Sequence, residues 1–150
     1  MRDGWVDDRQ DLSLSDTLTL AVAHRIADRV IAAAVEADVA ITVVVVDAQG
    51  ADVLTLRMDG AASFTPYVAR QKARSAVLMR SDSADLADVQ VDYPELLPLV
   101  SDGAGFRVTS LAGGLVLAHD GEVVGAVAVS GAHPDVDVAC ASAGRDAWTD

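Results

Sequence analysis

The hydrophobic pattern changes period several times along the chain. Between residues 19 and 37, Ala23, Ile26, Val30 and Ala34 recur at spacings of three and four, which lines them on one helical stripe. Arg25, Asp28, Arg29 and Glu36 fall mostly on the other side, and Thr19 stands where an N-cap belongs. The run Ile41-Thr42-Val43-Val44-Val45-Val46 is β-branched at every position and predicts a strand buried on both faces. Asp47-Ala48-Gln49-Gly50 is a turn signal, residues 53–58 resume a strand pattern, and Asp59-Gly60 stops it. This stretch reads as a hairpin.

Thr65-Pro66 then resembles a helix start, with Thr as N-cap and Pro at the first helical position. Val68, Ala69, Ala73, Ala76 and Val77 supply an apolar face to about residue 79. Residues 81–89 predict a short helix, and residues 93–105, with two prolines and two glycines, a loop with a helical turn. Residues 106–110 read as a short strand. Residues 115–118 and 122–129 form a stronger pair around Asp120-Gly121, a dipeptide typical of tight hairpin turns. Pro134 opens a last helix to about residue 148. The expected fold is α/β in the α+β sense: an antiparallel sheet of about five strands flanked by helices, in the order α-β-β-α-(loop)-β-β-β-α. Residues 1–15 carry no apolar period and read as a flexible arm, to which Trp5 belongs; residues 16–150 read as one domain.

The second half holds a recognisable series: Leu111-Ala112-Gly113-Gly114-Leu115-Val116-Leu117, Asp120-Gly121-Glu122-Val123-Val124-Gly125-Ala126, Val129-Ser130-Gly131, and Pro134 with Asp137. The first half adds Leu18-Thr19-Leu20, Val46-Asp47-Ala48-Gln49-Gly50, Arg57-Met58-Asp59-Gly60-Ala61 and Lys72-Ala73-Arg74. In order and spacing the series resembles the GlcG/HbpS family, which includes haem-binding and haem-degrading proteins and the C-terminal domain of PduO-type proteins. The resemblance implies an antiparallel sheet covered by helices, self-association into a homo-oligomer, and a small-molecule ligand, with haem as a candidate cofactor.

Charge narrows the partners. Eleven Lys+Arg against 23 Asp+Glu give a formal net charge of −12, which repels phosphate backbones and anionic membrane faces, so neither nucleic acid nor membrane is an expected partner. Aromatic residues are 4% of the chain, too few for a row of base-stacking platforms. One cysteine, Cys140, excludes an internal disulfide and a cysteine-based zinc site, and no metal site is expected. The polar, acidic opening does not resemble a signal peptide, and the expected location is the cytoplasm.

Candidate chemistry gathers in three places. Arg57 and Asp59 lie at a strand end, and Lys72, the one lysine among eleven basic residues, is two turns into the next helix. An arginine fork and a lysine point charge together suit a carboxylate or propionate; the competing reading is a surface Arg57–Asp59 pair with a solvated Lys72. Gly113-Gly114 and Ser130-Gly131 permit either a ligand close to the backbone or simple turn geometry. His133 precedes Pro134, where the resembled family usually has a small polar cap; His24 and His119 carry weaker signals. The leading expectation is a ligand site built from Arg57, Asp59, Lys72, Gly113, Gly114, Ser130, Gly131 and His133. The alternative is a cofactor-independent enzyme (isomerase, cyclase or dehydratase) in which His133 and Lys72 are catalytic.

Overall fold

A computed structural model describes residues 18–149. The expected N-terminal arm lies outside the described residues. In chain order the elements are α1 (Leu20–Glu36), β1 (Thr42–Asp47), β2 (Asp52–Arg57), α2 (Thr65–Met79), a single 3-10 turn (Ser83–Asp85) leading into α3 (Leu86–Asp92), α4 (Leu96–Ala104), β3 (Gly114–His119), β4 (Glu122–Ser130) and α5 (Pro134–Thr149). The strands form one antiparallel sheet in the order β2-β1-β4-β3.

Local chemistry sets most boundaries. Thr19 Oγ1 accepts the Val22 N–H at 3.1 Å and caps α1. Asp47 turns the first hairpin with its own carboxylate, whose Oδ1 accepts from Gln49 N at 2.9 Å and Ala51 N at 3.0 Å. Asp120 and Gly121 both take positive φ, 50° and 78°, as a two-residue hairpin requires. Thr65 differs from expectation. The cap position of α2 belongs to Phe64, while the Thr65 hydroxyl donates to Ala62 O and bonds Thr42 Oγ1 at 2.8 Å, tying the helix start to β1.

The sheet has unequal faces. Val43, Val45, Leu115, Leu117, Val127 and Val129 point toward α1 and α5 and meet Ile26, Val30 and Cys140. Val44, Val46, Ala126 and Ala128 point the other way, onto Ala69, Ala73 and Ala76 of α2. The β-branched run is fully buried on both sides, as its composition demands. On the second face nearly every contact is an alanine, so α2 lies close against the strands. A third small cluster of Leu86, Leu97 and Val108 seats α3 and α4 beyond the end of α2.

Two expectations are corrected. Residues 93–105 are not a loop: α4 occupies most of them, with Pro98 in its first turn, where a missing N–H costs nothing, and Gly105 as its left-handed C-cap. Residues 106–110 are not a strand, which reduces the sheet from about five strands to four. Two of their backbone donors are taken by side chains instead: Val108 N by Ser101 Oγ at 2.9 Å and Thr109 N by Ser75 Oγ at 2.9 Å.

Gly144 of α5 faces α1, where an added Cβ would stand 2.5 Å from Val30 Cγ2 and 3.0 Å from Ile26 Cγ2. Helix propensity favours Gly144→Ala by roughly 0.5–1 kcal/mol, but overpacking a fully buried contact costs about 1–3 kcal/mol. The contact should win. Gly144→Ala is expected to lower the urea midpoint, and a raised midpoint would show that α1 and α5 can move apart freely.

Candidate functional site

Lys72 sits on the face of α2 that meets the sheet, 4% exposed. Its Nζ donates to Val129 O at 2.8 Å and to Asp137 Oδ2 at 3.0 Å. Asp137 belongs to the first turn of α5, on the opposite side of the sheet, and its Oδ1 accepts from Ala132 N at 3.0 Å. The ion pair thus joins the two helical layers around the sheet end. Burial pushes the Asp137 carboxyl above its ordinary 3.8, against the pull of Lys72 and the Ala132 N–H.

The expected site residues divide around this pair. Gly113 and Gly114 lie against Lys72: a Cβ on Gly113 would stand 3.0 Å from Nζ, and one on Gly114 2.5 Å from the Lys72 carbonyl. Gly131 closes similarly on Ala40 O, at 2.7 Å. The room these glycines make is filled by protein. Ser130 is buried, and Arg57 is exposed on the edge strand; both flank Thr42 in the ladder, two strand spacings of roughly 4.8 Å apart. Asp59 is exposed just beyond β2. Lys72, Gly113, Gly114 and Asp137 meet; Arg57 and Asp59 remain at the edge strand, and Lys72 is neither solvated nor presented as an open cation.

His133 is exposed, and its Nδ1 accepts the Asp135 N–H at 3.3 Å, so the imidazole itself caps α5. This arrangement puts the ring proton on Nε2. Binding iron through Nε2 would move that proton to Nδ1 and sacrifice the cap. His24 is exposed on α1, and His119 sits half-buried at the end of β3.

A second site carried no signal in the sequence. Tyr67 and Gln71, one turn apart on the outer face of α2, form a groove of about 370 Å³ with Arg107, Thr109, Ser110 and Leu111. A hollow of about 320 Å³ adjoins it across Arg107, Thr109 and Ser110. The irregular wall is held at several points. Arg74 stacks on Phe106 at 4.6 Å, Ser101 and Ser75 hold the Val108 and Thr109 N–H groups, Ser110 Oγ donates to Gln90 Oε1 at 2.8 Å, and Ser83 Oγ donates to Leu111 O at 2.6 Å. Among the described residues Arg107 has no ion-pair or hydrogen-bond partner, and the Gln71 Oε1 is buried without one. No group of three or more His, Cys, Asp or Glu among the described residues could hold a metal ion, and no described helix is long and apolar enough to cross a membrane.

The Lys72–Asp137 pair yields a double-mutant test. Removing either partner strands a buried charge, so Lys72→Met and Asp137→Asn should each cost about 3–5 kcal/mol at neutral pH. The double variant should lose less than the sum by about 0.5–3 kcal/mol. Because the folded value of Asp137 is raised, its stability contribution is full below its ordinary 3.8 and declines as pH rises through the folded value. Without Lys72 that value climbs further, so the deficit of Lys72→Met should shrink on acidification. Urea titrations at several pH values check both points; strict additivity would mean the pair is not coupled.

Known proteins match nearly the whole of this architecture. The family model for haem degrading protein HbpS-like covers residues 18–146. The corrinoid adenosyltransferase PduO of Salmonella typhimurium is 31% identical over 118 residues, 77% of this chain, but the match spans only 35% of PduO. The crystal structure of HbpS superimposes with a TM-score of 0.78 at 33% identity, covering 91% of this chain and 93% of HbpS. That of a PduOC:haem complex gives 0.78 at 27% identity, covering 87% and 94%. The chain belongs to the HbpS-like family.

Proposed function

We propose that this chain binds a small acidic organic molecule, haem or a related carboxylate-bearing compound, in the groove between α2 and residues 107–111. The carrying observation is Arg107, which has no ion-pair or hydrogen-bond partner among the described residues and lines a groove whose irregular wall is held largely by side-chain hydrogen bonds. Arginine presents a planar fork to carboxylates, and a wall held by hydrogen bonds lowers the ordering cost of binding. Tyr67, Val68 and Leu111 give the groove an aromatic and apolar side. The haem held by the similar PduOC supports the reading. For a bound haem, Arg107 would hold a propionate and Tyr67 is the lining residue with an oxygen donor suited to iron. Haem would supply its own iron chemistry; the protein's part is to bind and orient it.

Haemin titrated into the purified protein should give a saturable Soret change at about one equivalent per chain. Arg107→Met should weaken it about three- to tenfold, the discount reflecting an exposed cation. An Arg107→Met curve that overlays the parent would remove the groove from the proposal. Self-association belongs to the same reading. Val91, Tyr93 and Leu99 stand 78%, 65% and 68% exposed on the α3–α4 side, an apolar display that a second subunit would cover. Light scattering at micromolar concentration should return a multiple of 15.5 kDa; a mass near 15.5 kDa would count against it.

A further inference from the structure

The hollow that adjoins the groove carries two opposite charges that do not meet. Asp102, in the last turn of α4, and Arg107, on the irregular segment, both line it. The bond from Val108 N–H to Ser101 Oγ, 2.9 Å long, ties together the two ends of the turn that bears them. Both residues are exposed, and among the described residues neither has an ion-pair or hydrogen-bond partner, the other included. No further charged residue lines either space. Arg107 is common to groove and hollow, whereas Asp102 belongs to the hollow alone. From groove to hollow the order is therefore an aromatic and apolar wall, a cation, then an anion.

From this we infer that groove and hollow together take α-amino acids with an aromatic side chain: carboxylate on Arg107, ammonium on Asp102, side chain along Tyr67, Val68 and Leu111. The inference rests on the groove being the ligand site and narrows what that site accepts. A carboxylate brought to Arg107 also enters the field of Asp102, and like charge at short range is penalised. An ammonium on the same ligand turns the penalty into a second attraction. In an α-amino acid both charges sit on one carbon, which suits a cation and an anion lining one hollow across a short turn. Haem carries two propionates and no ammonium, so it would bring negative charge to this end of the site and leave Asp102 unanswered.

The test is calorimetric titration of the full chain with L-tryptophan, with indole-3-propionate, which lacks the ammonium, and with tryptamine, which lacks the carboxylate. Tryptophan should bind with a Kd below about 1 mM and more tightly than either analogue by about three- to tenfold, the exposure of both charges limiting the gain. Salt at about 1 M should shrink both preferences. The two substitutions should have crossed effects. Asp102→Asn should weaken tryptophan and tighten indole-3-propionate, bringing them within about twofold; Arg107→Met should weaken tryptophan and tighten tryptamine. Both positions are exposed and unpaired, so neither variant should move the urea midpoint. Either analogue binding as tightly as tryptophan, a preference over indole-3-propionate that survives Asp102→Asn, or no tryptophan binding below about 1 mM would overturn the inference. If haemin binds through Arg107 while tryptophan shows no advantage over indole-3-propionate, the groove stands and the selectivity falls. If Arg107→Met changes neither haemin nor tryptophan binding, the groove itself falls.

Discussion

The architecture turns on a buried charge pair that crosses from one helical layer to the other. Lys72 starts on α2, passes the end of the sheet beside Gly113, and reaches Asp137 on α5, taking the Val129 carbonyl of β4 on the way. Two ions this deep give up much hydration, and their attraction returns it only when every remaining proton and lone pair is placed. Asp137 meets that demand with the Ala132 N–H on its second oxygen. What the pair adds is less net stability than register: slide or rotate α2 against the sheet and Nζ loses both acceptors.

That register matters because the contact beneath α2 is smooth. Ala69, Ala73 and Ala76 lie on Ala126 and Ala128, and small side chains offer few ridges to fix a helix in place. The opposite face, where Ile26 and Val30 interleave with Val43, Val127 and Leu115, defines its own geometry through shape. A chain with so few aromatic residues can afford one thin layer, provided a polar contact supplies the specificity that the alanines lack. The Thr42–Thr65 hydroxyl pair pins the start of α2, and Lys72–Asp137 pins it two turns later.

Much of this was legible where the cause was local. The β-branched run, the Thr19 cap, the Asp47 turn and Asp120-Gly121 each carry their reason within a few residues. The errors share the opposite property. Phe106-Arg107-Val108-Thr109-Ser110 has strand-like composition, but its Val108 and Thr109 N–H groups are claimed by Ser101 and Ser75, the latter 34 positions away from its partner. Pro98 and the two glycines suggested a loop because proline reads as a breaker until its place in the first turn is known. Composition marked Lys72 as unusual and the family series contained Asp137, yet nothing in either joined two residues 65 positions apart. Gln71 and Arg107 gave no signal at all, since what sets them apart is the want of a side-chain partner among the described residues.

The clamp and the groove are linked by helix geometry. Residues 71 and 72 are consecutive on α2 and so point about 100° apart: one side chain enters the sheet junction, the other the groove. Fixing the azimuth of Lys72 therefore fixes the depth of Gln71 and, one turn earlier, the position of Tyr67. The facing wall is set independently, by Ser75 and Ser101 holding the backbone of residues 108 and 109. Ser75 is itself on α2, so helix and wall move as one body. A ligand-sized space bounded by an irregular segment normally costs ordering on binding. Here the ordering is built into the fold, and the buried ion pair positions the groove floor without lining the groove itself.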